Sequence, residues 1–265
     1  MRSLLSLLLI SALAAPASAW DLAVCADPAG PPYSSRDESG FDNRIVHLLA
    51  EELGAEARFV WMPNRRGRTA RGFLHDGTCD VLMGVIDGQP GTMTSHAYYR
   101  SGFVFVFRED GPQVGSLDDP ALEGLRVGLP GGARRTTPPA LGLTRRGHMD
   151  SLVHFAASGT AGETETRILA ALDSGEIDLA VLWGPSAVPH VDDGHEVRAV
   201  TPEIDMPFLP MFASFSIGVR PEDEALRDAL DRALANRWDD IQAVLAETGL
   251  PLWPLPKPRL PEAGQ

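Results

Sequence analysis

Residues 22–61 constrain the fold most, because their hydrophobic spacing changes period twice. Leu22-Ala23-Val24-Cys25-Ala26 is a short continuous apolar run closed by Asp27-Pro28, the pattern of a buried strand. Pro28, Gly30, Pro31, Pro32 and Tyr33 then forbid its extension. From Phe41 the spacing becomes helical. Ile45, Leu48, Leu49 and Leu53 share one face, Asp42 or Asn43 is placed to cap the start, and Gly54 to end it. A second apolar run at 57–61 follows at once. Strand, helix, strand is a βαβ unit, and ligands of such units gather where strands end, here at the loop from Asp27 to Tyr33.

The later chain repeats this grammar. A short helix carrying Phe73 and Leu74 and a third strand at 80–85 complete the first series. The apolar run 102–107 carries the chain away. A second series reads as strands at 125–129, 152–156, 179–183 and 197–200, with a helix at 164–173. A strand at 213–219 returns, and helices at 222–234 and 238–248 close the fold. The expectation is an α/β protein of two lobes joined by two strand-like hinges around a central cleft. Lobe 1 is 20–107 plus 213–250 and lobe 2 is 108–212. A tail at 251–265 holds five prolines if counted from Gly249 and is expected to be extended along the surface or disordered.

Residues 1–19 read as a secretory signal: Arg2, an apolar run at 4–13 too short to span a bilayer, and Ala17-Ser18-Ala19 as the cleavage site. The expected product is periplasmic, starts at Trp20 and has no membrane insertion. Its formal charge moves from −13 to −14 with the loss of Arg2, which excludes nucleic-acid binding through the overall field. Cys25 and Cys79 meet an oxidising compartment, so a disulfide is one reading. Two free thiols is the other, because parallel neighbours would set these strand ends beyond the roughly 7 Å that a disulfide spans.

No nucleophile elbow, ordered triad or nucleotide P-loop is present, so no catalytic residue is assigned. His190 and His195 flank Asp192 and Asp193, but a Gly- and Asp-containing loop reads as solvated and no metal is assigned there. Gly131-Gly132 would cradle an anion if a helix opened behind it. Tyr33 and Trp183 stand just past strand ends, where binding and packing are both open. Phe41, Trp61, Tyr98 and Tyr99 are read as packing before binding. The expected cleft residues are Asp27, Tyr33, Arg65, Arg66 and Trp183. Arg65 and Arg66 are also candidates for contact with an acidic partner, against the plainer reading of two solvated arginines.

Val24-Cys25-Ala26-Asp27-Pro28, Pro31-Pro32-Tyr33-Ser34 and Gly40-Phe41-Asp42-Asn43 resemble the opening of family-3 periplasmic solute-binding proteins. More narrowly, they are similar to the MxaJ/XoxJ-type branch encoded beside quinoprotein methanol dehydrogenases. Matching stretches recur at Trp61-Met62-Pro63-Asn64-Arg65-Arg66-Gly67, at 79–85, 98–101, 137–140 and 145–147, and from Gly175-Glu176-Ile177-Asp178 to Trp183-Gly184-Pro185. The resemblance implies a type II periplasmic-binding-protein fold. It implies a non-catalytic accessory protein, without a cofactor of its own, assisting a PQQ-dependent methanol or alcohol dehydrogenase in assembly, maturation or cofactor delivery. A receptor passing a small solute to an ABC transporter is the second reading, and a dehydratase-like enzyme the third. The departures matter. Amino-acid receptors of this family carry an Arg after the third strand, a Gly-Thr-Thr or Gly-Thr-Ser donor set opening lobe 2, and a late-strand Asp for the ligand amine. This chain has Ile86-Asp87-Gly88-Gln89-Pro90-Gly91, Gly131-Gly132-Ala133 and Trp183-Gly184-Pro185 at those places. The cleft is therefore expected to be apolar and unsuited to amino acids.

Overall fold

The computed structural model describes residues 20–62, 68–132, 136–157, 162–205 and 207–259. The signal at 1–19 and both Arg65 and Arg66 lie outside the described residues. Strand β1 (Trp20–Ala26), helix α1 (Phe41–Leu53) and strand β2 (Ala55–Trp61) form the first unit, with β1 and β2 parallel from Trp20 opposite Ala55 to Ala26 opposite Trp61. Gly54 ends α1 with φ at 64°, where its N–H returns to the Glu51 and Ala50 carbonyls. The helix start differs from expectation. It begins after Gly40, and the N–H groups of Phe41 and Asp42 donate to the carbonyls of Pro32 and Tyr33 at 3.1 and 2.9 Å. The loop backbone thus caps the helix, and neither Asp42 nor Asn43 is needed for it.

Helix α2 (Arg68–His75) leads into β3 (Val81–Ile86), which runs parallel to β1 on its other side with Val24 opposite Val81. Strand β4 (Tyr99–Arg108) then crosses to the second lobe, where β5 (Val127–Pro130), α3 (Pro138–Arg145), β6 (Leu152–Phe155), α4 (Glu163–Asp173), β7 (Leu179–Trp183) and β8 (His195–Ala199) follow. Strand β9 (Phe212–Val219) crosses back to helices α5 (Glu224–Asn236) and α6 (Trp238–Ala246). Across the sheet the order is β2-β1-β3-β9-β4-β7-β5-β6, with β8 on β4. Each lobe repeats one order, second strand, first, third. The lobes are continuous through β4, whose Tyr99 to Gly102 pair with β9 and whose Phe103 to Val106 pair with β7. Division of the lobes at 107/108 and 212/213 is a proposal; the hydrogen-bond ladder itself changes partner inside β4.

The alternation along β4 sorts the second core. Phe105 and Phe107 face Leu129, Leu143 and Val181, whereas Val104 and Val106 face Ile168, Leu172 and Leu182. The first core sets Leu22 and Val24 of β1 against Ile45 and Leu49 of α1, with Ile217, Leu234 and Ile241. Each such side chain, removed from water, contributes about 1.5–3 kcal/mol. On the opposite face of β1, Cys25 and Cys79 are joined as a disulfide with Cα atoms 5.5 Å apart, beside Leu74 and Met62. The geometric objection fails because Cys79 is not a strand position. The strand starts at Val81, and Cys79 still hangs from the end of α2 with its N–H on the Phe73 carbonyl. Closing a loop of 54 residues stabilises the fold by about 4 kcal/mol in the chain-entropy account.

The described part of the tail is extended and held rather than loose. Leu252 bridges to Ser101, the Trp253 N–H donates to the Arg100 carbonyl at 2.9 Å, and Ser101 Oγ donates to the Pro251 carbonyl at 2.7 Å.

Candidate functional site

A cavity of about 330 Å³ opens where the C-terminal ends of β1 and β3 meet the start of α1 and the end of β7. Its wall takes Ala26 and Asp27 from the end of β1, Tyr33 from the loop, Asp42, Asn43 and Val46 from α1, and Phe59, Met83 and Gly84 from neighbouring strands. Tyr99, Phe215 and Trp183 close it from β4, β9 and β7. The crossing-strand order of each lobe puts these strand ends at one crevice.

The aromatic side chains form a closed circuit. Tyr33 lies 5.3 Å from Phe41, Phe41 5.6 Å from Tyr99, Tyr99 is stacked on Phe215 at 4.7 Å, and Phe215 lies 5.8 Å from Trp183. Trp183 Nε1 then donates to Tyr33 Oη at 3.3 Å, so the circuit ends with a hydrogen bond between the lobes. Burial raises the Tyr33 hydroxyl pKa, which keeps it a neutral donor and acceptor. Tyr33 and Trp183, whose binding and packing readings were both open, are thus brought together in one wall.

The polar part of the wall comes from α1. Because the loop carbonyls cap the helix, Asp42 and Asn43 turn inward. Asn43 accepts from the Ser35 N–H at 3.0 Å through Oδ1 and so holds the loop. Asp42 accepts from Tyr98 Oη at 2.6 Å, and Tyr98 Oη accepts from the Gly84 N–H at 3.1 Å. Asp42 is buried, and desolvation pushes its carboxyl up to about 7 against the opposing pull of the Tyr98 hydrogen bond. Tyr98 and Tyr99 are raised as well, first by burial and then by the Asp42 charge. Among the described residues the Tyr99 hydroxyl has no hydrogen-bond partner. Among the described residues that line the cavity none is Arg, Lys or His, whereas Asp27 and Asp42 both line it.

Of the expected cleft residues, Asp27, Tyr33 and Trp183 line this cavity; Arg65 and Arg66 lie outside the described residues. Phe41 is buried as expected, and Trp61 is half-buried, stacked on Phe59 at 5.2 Å with the Arg36 guanidinium 5.7 Å from its ring centroid. Sequence reasoning missed Asp42, which it offered as a cap, and favoured packing over binding for Tyr99, which both packs and lines the cavity. A signal was available: a Tyr pair beside a carboxylate-bearing helix start leaves two hydroxyls needing partners.

Two other expectations are corrected. His195 is not a solvated loop residue; its buried ring sits between Asp173 at 2.9 Å and Asp192 at 2.8 Å, tying β8 to the end of α4. Among the described residues, no helix opens at Gly131-Gly132. The Gly131 N–H is taken by the Phe155 carbonyl at 2.8 Å, and α3 starts only at Pro138, after Thr137.

Residues 22–245 match the bacterial extracellular solute-binding proteins, family 3. Protein MoxJ of Methylorubrum extorquens is 32% identical over 261 residues, covering 92% of this chain and 86% of that protein. Two crystal structures superpose on most of the chain. MxaJ from Methlophaga aminisulfidivorans MPT has a TM-score of 0.70 at 27% identity, covering 88% of this chain and 100% of that one. The periplasmic binding protein XoxJ from Methylobacterium extorquens AM1 has a TM-score of 0.68 at 29% identity, with the same coverage of 88% and 100%.

Proposed function

The chain belongs to family 3 of the bacterial extracellular solute-binding proteins, and from that premise we propose that it is a periplasmic accessory protein of a PQQ-dependent methanol or alcohol dehydrogenase. It has a binding rather than a catalytic role, acting in assembly, maturation or cofactor delivery of that enzyme. The observation that carries this reading is likeness to MoxJ, MxaJ and XoxJ across about nine tenths of the chain, both lobes included. A shared cleft alone would point to any receptor of the fold. The site is in keeping with it, because the described lining is largely aromatic and apolar and its charged groups are two carboxylates, which suit the carboxylate of an amino acid poorly.

Affinity purification of the tagged protein from periplasm tests the proposal. A quinoprotein dehydrogenase should co-purify, and deleting the gene should lower its assembled, PQQ-loaded fraction. Normal dehydrogenase assembly in the deletion strain, with no such enzyme recovered, would overturn it. Arg65 and Arg66 are proposed as partner contacts, since a guanidinium pair binds carboxylates bidentately and stands in a basic segment of an otherwise acidic chain. Replacing both with Ala should weaken recovery of the dehydrogenase and leave the melting temperature unchanged. The second reading, a receptor delivering a non-amino-acid solute to an ABC transporter, draws on the cavity itself; a permease recovered in place of the dehydrogenase would favour it.

A further inference from the structure

Of the six large apolar side chains that stand exposed among the described residues, four belong to one corner of the second lobe. Leu141 is on α3 and Met149 in the turn that follows. Ile204 and Phe208 are on a short hairpin, Ile204–Asp205 paired with Leu209–Pro210, that packs against α3. Phe208 is 89% exposed and Ile204 57%. Scattered singly such residues mean little, but gathered on one projecting element they mark a contact surface. The hairpin is firmly held. Asp205 is buried and accepts from Arg146 Nη1 and Nη2 at 2.9 and 3.0 Å, while Arg146 Nε donates to Asp118 at 2.7 Å. Hairpin and helix approach so closely that a Cβ on Gly142 would lie 3.1 Å from the Asp205 carboxylate. On the other arm Leu209 packs on the second core, and the Met211 N–H donates to the Glu203 carbonyl at 2.8 Å. The carboxylate is thus turned in, at a desolvation cost, and the aromatic ring is turned out. Folding alone would favour the reverse.

We propose that the hairpin tip, Phe208 with Ile204, is an anchor that enters an apolar socket rimmed by arginine or lysine on the dehydrogenase partner, an assignment that rests on the accessory reading above. An aromatic side chain on a fixed element loses little freedom when it is buried, which is what an interface anchor requires. The charges beside it select the partner. A groove of about 510 Å³ begins at Arg146 and carries Asp118, Asp119 and Glu123, and Glu203 stands exposed at the foot of the hairpin. Arg146 in that groove is already forked onto Asp205. An anionic bilayer, or a second copy of a chain with formal charge −13, would be repelled by such surroundings. A protein surface with cations around an apolar hollow matches both the ring and the carboxylates.

Calorimetric titration of the quinoprotein dehydrogenase purified from the same periplasm into the wild-type protein and its variants tests this. Phe208→Ser should weaken binding by at least about tenfold, the loss of an interface anchor, and Phe208→Trp should keep most of it. The melting temperature of Phe208→Ser should match wild type, because the ring is open to solvent in the free protein. Affinity should fall as sodium chloride is added and the rim charges are screened. With p-benzoylphenylalanine in place of Phe208, irradiation should cross-link the dehydrogenase at an apolar peptide that has Arg or Lys beside it. Wild-type affinity in Phe208→Ser, or a cross-linked peptide without neighbouring cations, would overturn the assignment and leave the accessory reading standing. Failure of the wild-type protein to bind the dehydrogenase would overturn that reading and the assignment with it. Vesicles of phosphatidylglycerol and phosphatidylethanolamine that retain wild type but release Phe208→Ser would make the hairpin a membrane contact. A dimer in sedimentation that Phe208→Ser dissolves would make it a self-contact. Either result overturns the proposal.

Discussion

At the scale of single residues, Asp42 is the position where fold and site disagree. The α1 terminus favours a negative charge in its first turn, yet burial wins and pushes the carboxyl up to about 7. The sign of the consequence is fixed. Between the ordinary value of 3.8 and about 7, the folded protein holds a proton that the unfolded chain releases. Stability therefore falls as pH rises through that window, and the penalty is complete above it. Asn at this position still accepts from Tyr98 and does not titrate. Asp42→Asn should gain on wild type by about 2 kcal/mol or more at pH 8 relative to pH 4 in denaturant unfolding. An equal difference at both pH values would mean that the carboxylate is not held at a cost.

At the scale of elements, the contact between the loop and α1 governs the site. A Cβ on Gly40 would lie 2.3 Å from the Tyr33 carbonyl oxygen and 2.6 Å from the Ser34 Cα, both backbone atoms that cannot swing away. The φ of Gly40 is an ordinary −60°, so the demand is for space and not for conformation. Gly54, at the other end of the same helix, is the opposite case, with φ at 64° and nothing near its added Cβ. Gly40→Ala should destabilise by about 1–3 kcal/mol through overpacking, and it should also displace Tyr33 and weaken ligand binding. Gly54→Ala should cost about 1 kcal/mol and leave binding intact. Urea titration of the two variants beside a binding assay separates them; equal losses in both would remove the packing argument. This contact also marks where the sequence stops being readable. The apolar runs of β1, β7 and β9 and the 3.6-residue spacing of α1 and α4 are local signals, and they found the elements to within a few residues. Whether Asp42 caps its helix or turns inward depends on carbonyls that arrive from Pro32 and Tyr33, a tertiary fact with no local period. The Cys25–Cys79 disulfide stayed one of two open readings in the sequence for the same reason, since the path of residues leaving α2 towards the next strand has no local signal.

At the scale of the whole molecule, the lobes share two crossing strands and a third tie that the proline-rich composition concealed. The tail adds a backbone hydrogen bond at Arg100 and a side-chain one at Ser101, at the point where β4 changes partners. Its side chains fill the space that two glycines leave. A Cβ on Gly102 would stand 2.6 Å from the Trp253 ring, and one on Gly184, next to Trp183, 2.4 Å from Pro251. The tail therefore touches both the crossing strand and the end of β7, which carries the inter-lobe hydrogen bond to Tyr33. Ending the chain at Leu250 should leave the second core intact, because Ile168 and Leu172 have their partners elsewhere, and should take only Leu252 from the edge of the first. The loss is the two hydrogen bonds and the packing of Pro251, Leu252 and the Trp253 indole, together about 3–6 kcal/mol. It should appear locally. Amide hydrogen exchange should accelerate at 100–103 and 182–185 and remain slow at 45–50, and the Tyr33–Trp183 contact should open more often. Trp253→Ala should give the same pattern at smaller amplitude. Acceleration spread evenly over both lobes would mean that the tail stabilises the molecule as a whole, and that the closure of the cleft is set by β4 and β9 alone.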